Sequence, residues 1–280
     1  MDANTIQKAL ADLPIVEVRY FDSTGSTNDD AARWVAEGAQ EYSLVVAHEQ
    51  TAGRGREGRV WHSPPGSSLA FSLVLRPKVT GAHVLPRLTA LGALAVHDAL
   101  MNKYDLTAQI KWPNDVLVHR RKVAGVLAEA HWAGDRLDAV VLGIGINIKP
   151  EAATYAAQQE GRLAFPSTSI VECLGRDVDP VELLRDVLAE LTAWRPRVAS
   201  QDFINVWESN LAFRGETVQI AFHESTGKDG LPPSLENRPP ALQEGRIIGL
   251  AQDGSLKLRL TNGETVSVHF GEVRLRPVDQ

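Results

Sequence analysis

A chain of 280 residues, 44% hydrophobic and 23% charged, has an ordinary globular composition, with room for one large domain or a large and a small one. Its formal net charge of -6 excludes a surface built as a whole to wrap nucleic acid, which needs clustered Lys and Arg on a basic domain. Cys173 is the single cysteine, so no internal disulfide can form, no metal-ligand spacing exists, and a cytoplasmic protein is expected.

The first 20 residues carry acids and no apolar run, so they are not expected to be a signal peptide. Nowhere do 18 apolar residues follow one another, and no membrane span is expected. Residues 16–22 predict a short strand, followed by a polar turn and a helix capped by Thr27 or Asn28. Asp29 and Asp30 would lie in its first turn, and Gly38 would end it. Apolar runs at 42–47 and 68–75 predict buried strands. Leu85, Leu88, Ala95, Val96, Ala99 and Leu100 share one face of a helix over 85–103.

Three strand-like segments follow, 109–118, 122–131 and 138–148, with only a few polar residues between them, so antiparallel hairpins are expected. Asp179-Pro180-Val181-Glu182 starts a helix that runs to about Trp194, and another covers 201–210. After Arg214 the pattern changes to short strands. Asp253-Gly254 and Asn262-Gly263 supply the positive φ of tight hairpin turns. With 216–222 and 273–276 they predict a small all-β barrel, interrupted by a Pro-rich, polar excursion at 225–241 that is expected to be mobile. The expected organisation is an α+β domain over 1–213 followed by the barrel over 214–280.

The most distinctive stretch is GRGREGRVW (53–61). Glycines let a backbone approach a ligand closely, and arginines offer planar charged forks for carboxylate and phosphate. A solvated basic loop would have the same composition. The stretch contains G-x-G-x-x-G, but Pro64-Pro65-Gly66 follow where a helix should begin, and no acid occurs between Glu57 and Asp98, so a dinucleotide fold is excluded. No Gly-Lys-Ser/Thr makes it a P-loop.

In KWPNDV (111–116) the strand breaks at Pro113, and Asn114-Asp115 makes a turn beside Lys111 and Trp112. This is either a capped turn or a site for a metal, an amine or a ring. Lys122 starts the next strand, where a solvated charge is the plain alternative. Gly143–Asn147 ends another, with an Asn able to read a purine edge or a glycine pair allowing close packing. The eight histidines show no paired ligand spacing, so no metal site is expected.

Taken in order, Ser26-Thr27-Asn28, Gln50, GRGREGRVW (53–61), KWPNDV (111–116), RKVAGVL (121–127) and GIGIN (143–147) resemble the signature set of bacterial biotin protein ligases. The resemblance covers about residues 20–150. It implies an α+β fold, with a mixed, mainly antiparallel sheet and flanking helices as in class II synthetases, plus a small C-terminal SH3-like barrel. It also implies a reaction. Biotin and ATP, the latter with Mg2+, give biotinyl-5′-adenylate, and a lysine of a biotin carboxyl carrier domain then takes the biotin.

Lys122, Arg56 and Asp115 are thereby expected in catalysis. Lys122 would contact the biotin carboxylate and phosphate, and Asp115 would assist the metal or the incoming amine. Gly53, Arg54, Gly55 and Arg56 are expected to close on biotin and the adenylate phosphate. Ser26, Thr27, Asn28 and Gln50 are expected on the biotin ureido ring, and Trp61 and Asn147 on the adenine side. Lys111 and Gly125 complete the expected binding set. Larger bacterial members carry an N-terminal winged helix-turn-helix. Only about 20 residues precede the first strand here, so the short form without nucleic-acid binding is expected.

Three rivals remain: a lipoate or octanoate ligase of the same fold, a non-catalytic biotin-binding regulator, and a nucleic-acid module based on the barrel. GRGREGR with KWPND separates the first, and the presence of Lys122 the second. The third rests on fold alone.

Overall fold

Strand residues alternate between two apolar layers, and that alternation explains why the sheet is covered on both faces. In the computed structural model, which describes residues 2–61, 63–77, 84–154, 165–222, 241–269 and 273–277, seven strands form the main sheet. They are β1 (Glu17–Phe21), β2 (Ser43–Ala47), β3 (Ser68–Leu75), β4 (Ala108–Lys111), β5 (Asp115–Val118), β6 (Arg121–Ala133) and β7 (Arg136–Asn147), in the spatial order β1-β2-β3-β7-β6-β5-β4. Only β1 and β2 pair in parallel. A parallel pair cannot be joined by a hairpin, and α2 (Thr27–Ala36) makes the crossover.

Leu44, Val46, Phe71, Leu73, Leu142 and Ile144 point to one side and are buried beneath α3 (Val84–Tyr104). Val45, Val74, Ala139 and Val141 point to the other and pack with Ala31, Trp34 and Val35 of α2. By length and composition α3 could cross a membrane, but most of it is buried inside the fold. It lies so close to the sheet at Gly92 that a Cβ there would stand 2.9 Å from Val126 Cγ1. Burying each large side chain of this layer contributes about 1.5–3 kcal/mol.

Several boundaries differ from the sequence reading. A short helix, α1 (Ala3–Ala9), precedes β1, capped by Asp2, whose side chain accepts from Thr5 N at 2.9 Å. Ser26, not Thr27 or Asn28, is the N-cap of α2, so the latter two side chains are free to face the sheet. The segment 109–118 is a hairpin of two strands, broken at the turn expected after Trp112. Lys111 pairs with Asp115 across the turn, which makes Asp115 a strand residue. A short α4 (Ile170–Leu174) was not legible, while α5 (Pro180–Trp194) starts as expected, with Asp179 accepting from Val181 N. α6 (Gln201–Ser209) leads to the second sheet.

That sheet contains β8 (Thr217–Phe222), β9 (Ala241–Leu250), β10 (Leu256–Leu260), β11 (Thr265–Val268) and β12 (Val273–Pro277), in the order β11-β10-β9-β8-β12 and all antiparallel. Gly254 and Gly263 adopt φ +85 and +86 in its two tight turns, as their dipeptides predict. The expected excursion at 225–241 lies, up to residue 240, outside the described residues. Leu256, Leu258 and Ile247 join the same apolar cluster as Phe203 and Trp207, so this sheet packs directly on the larger one's core.

Candidate active site

The register of the main sheet collects the chemistry. Cross-strand partners share a face, and the pairings Ala70–Gly145, Gly145–Gly125, Gly125–Asp115 and Asp115–Lys111 form one row across four antiparallel ladders. The next row is Ser72–Gly143–Leu127. Glycine at 125, 143 and 145 leaves a trough on this face. A Cβ at Gly143 would collide with the Asn28 amide, and one at Gly145 with the Trp61 indole. These close approaches are the reason for the glycines.

Lys122 reaches the trough because β6 is bulged. The single step Val116–Leu117 on β5 faces the two-residue step Lys122–Ala124, which leaves Val123 extra and turns Lys122 to the side of Asp115. Lys122 Nζ lies 2.8 Å from Asp115 Oδ1, and Lys111 Nζ lies 3.5 Å from Asp115 Oδ2. Burial alone would push the Asp115 carboxyl up. The Lys122 and Lys111 ammonium groups outweigh burial and hold it down at about 2. Burial pushes Lys111 down, against the pull of Asp115, and Lys122 and Arg59 push it further the same way. The face of the Phe165 ring covers Lys111 Nζ, 4.7 Å from the centroid.

The glycine-arginine loop folds over the trough. Trp61 N donates to Gly53 O at 2.8 Å and Gly55 N to Arg59 O at 2.7 Å, with a 3₁₀ turn at Arg56–Gly58 between. Arg54 Nη2 lies 2.8 Å from both Asp29 Oδ1 and Glu129 Oε2, and Arg56 Nη1 donates to Asn114 Oδ1 at 3.3 Å. The Trp61 indole rests against Gly125 and Gly145, with Lys122 Nζ 5.5 Å from its ring centroid.

At the other end of the trough, Gln50 Oε1 accepts from Thr27 N at 2.8 Å and Thr27 Oγ1 at 3.0 Å. Ser72 Oγ lies 2.7 Å from Thr27 Oγ1 and 2.6 Å from Asn28 Oδ1, and Asn28 Nδ2 donates to Glu129 Oε2 at 2.6 Å. A cavity of about 320 Å³ runs between this polar end and the lysines. Every residue expected at the site lines it except Gly53 and Asn147. Gly53 supports the loop from behind, where a Cβ would strike the Trp61 carbonyl. Asn147 is buried at the end of β7, and its amide donates to Thr168 O at 3.1 Å, outside the lining.

Sequence reasoning missed Ser72, Glu129 and Phe165. Each is ordinary in its local context, and only the sheet register or a long-range approach brings it to the site. Two lysines and three arginines around one buried carboxylate form a cavity suited to holding two anions side by side.

Residues 20–147 match the model of the "Biotin/lipoate A/B protein ligase family". The biotin--[acetyl-CoA-carboxylase] ligase of Paracoccus denitrificans is 40% identical over 258 residues, 89% of this chain and 98% of that one. The chain belongs to the biotin protein ligase family.

Another ligase of the family, from Mycobacterium tuberculosis, is 33% identical over 89% of the chain and 85% of its own length. The bifunctional ligase/repressor BirA of Bacillus subtilis is 36% identical over 169 residues, and the chain spans about half the length of that relative. Among solved structures, the biotin protein ligase from Aquifex aeolicus in complex with biotin and ATP superposes with a TM-score of 0.71. It is 26% identical, and the match covers 93% of this chain and 98% of that one. A biotin protein ligase fold is thus shared over both sheets.

Proposed function

We propose that this protein activates biotin with MgATP to biotinyl-5′-adenylate and transfers the biotin to a lysine of a biotin carboxyl carrier domain in the cytoplasm. The observation that carries the proposal is the convergence of Lys122, Lys111 and the arginine loop on one cavity whose far end holds the Ser26–Asn28 and Gln50 groups. In the first step a biotin carboxylate oxygen attacks the α-phosphorus of ATP. The P–O bond to pyrophosphate breaks, and the leaving group keeps the electron pair. Two anions must meet, and the chain's contribution is to screen them and hold them in line.

Lys122 is the cation at that meeting point. Asp115 positions it and keeps Lys111 beside it, and both carboxylate oxygens are engaged in doing so. Arg56 and Arg54 sit on a loop whose glycines let it settle on the adenylate phosphate. Thr27, Asn28 and Gln50 are mutually oriented by hydrogen bonds, and that preorganisation suits them to a cyclic urea. Trp61 offers a flat face on the nucleotide side. Mg2+ enters with ATP as part of the substrate. Among the described residues no group of three or more His, Cys, Asp or Glu would hold it as a resident ion.

Mass spectrometry of the protein mixed with MgATP and either biotin or lipoate tests the reading. Biotinyl-adenylate from biotin alone, falling about 10²–10³-fold in rate in Lys122→Ala, supports it. Adenylate from lipoate alone moves the assignment to the sister enzymes, and no adenylate with biotin still bound points to a regulator.

A further inference from the structure

Along the arginine loop lies a second, more open cleft of about 560 Å³, which the mechanism above does not use. It shares Arg54, Arg56 and Leu127 with the first cavity, so the two lie side by side along the same loop. Its walls include the apolar Ala52, Val60 and Leu127, and Glu129 is the carboxylate among its described lining residues. Glu129 is on β6, two residues beyond Leu127 and so on the same trough face, and its side chain is 30% exposed. Its Oε2 receives both Arg54 Nη2, at 2.8 Å, and Asn28 Nδ2, at 2.6 Å.

The geometry points to this cleft as the passage for the acceptor lysine, with Glu129 as the residue that receives its ammonium group. The assignment rests on the ligase reading and deepens it. Ala52, Val60 and Leu127 suit a four-carbon stem, and a carboxylate at one wall suits its charged tip. Arg54, Arg56 and Arg59 also line the cleft, and with Arg54 on Glu129 the passage repels a cation. Once an adenylate draws the arginines to its phosphate, Glu129 loses its cationic partner while keeping the Asn28 amide, and the passage becomes attractive to an ammonium.

The order of the two half-reactions follows from this exchange of partners. The docked ammonium loses one proton to bulk water, and the amine attacks the acyl carbon of the mixed anhydride. A second proton leaves as the C–N bond forms. The C–O bond to the phosphate breaks, and its electron pair departs with AMP.

The test compares two nucleophiles on enzyme-held biotinyl-adenylate in single turnovers. One is the lysine of a purified biotin carboxyl carrier domain. The other is hydroxylamine, which is uncharged near neutral pH and needs no carboxylate. Glu129→Gln keeps an acceptor for Asn28 and removes the charge, so transfer to the carrier should fall at least about tenfold relative to transfer to hydroxylamine. Glu129→Asp, which keeps the charge, should recover most of that ratio. Equal slowing with both nucleophiles, or no slowing with either, overturns the assignment. If the wild-type protein makes no biotinyl-adenylate at all, the ligase reading fails first and this assignment with it.

Discussion

Trp112 donates its indole N–H to the carbonyl of Gly254 at 3.0 Å, inside the protein, and so ties the turn beside Lys111 to a hairpin of the second sheet. Gly254 is held at φ +85 with the Trp207 ring directly over it, and the neighbouring Gln252 carbonyl accepts from Arg87 of α3 at 2.6 Å. The second sheet is therefore part of the wall that steadies the active-site turn.

Gly254→Ala should disturb that wall from a distance. The new Cβ would lie 2.7 Å from Trp207 Cζ3, in a backbone conformation that side chains other than glycine rarely adopt. A loss of about 1–3 kcal/mol in urea unfolding is expected, with slower adenylate formation in the protein that remains folded. Trp112→Phe removes the donor and also part of a buried indole, so the lost hydrogen bond and the cavity together should cost about 2–4 kcal/mol by the same measurement.

Asp115 should make stability depend on acid. Its folded value of about 2 lies below the ordinary 3.8, so the native state binds this proton less readily than the unfolded chain does. The stabilisation is fully present above pH about 4 and is lost as pH falls toward 2. The depressed carboxyl contributes on the order of 2 kcal/mol at neutral pH. Urea midpoints measured from pH 7 down to pH 2 check this. Asp115→Asn should flatten that part of the profile, and at neutral pH it should lower stability by about 2–3 kcal/mol by leaving two partly buried ammonium groups without their carboxylate. A profile as steep in the variant as in the wild type would refute the assignment.

Gly145→Ala should weaken ligand binding while leaving the core intact. Its Cβ would displace the Trp61 indole, a side chain at the cavity rather than within the apolar layers. Calorimetric titration with ATP should show at least about tenfold weaker binding, with a thermal midpoint within a few degrees of the wild type. Unchanged affinity would mean that Trp61 takes no part in holding the nucleotide.

Local chemistry wrote much of this fold into the sequence. The Asp179-Pro180 helix start, the two glycine hairpin turns and the apolar strands 42–47 and 68–75 depend on neighbouring residues alone, and each stands where it was read. By composition alone the glycine-arginine loop fits an anion site and a solvated basic loop equally, and Lys122 fits a solvated strand end. Tertiary structure decided which of those groups meet. A strand's two faces look alike in sequence, and one bulge at Val123 determines whether Lys122 faces Asp115 or the core. The same holds for Ser72 and Glu129, whose partners lie 44 or more residues away and are brought close only by strand register. Asn147, whose place at a strand end left open a purine edge or close packing of the glycine pair, donates to Thr168 O, a carbonyl supplied by a segment 21 residues further along the chain.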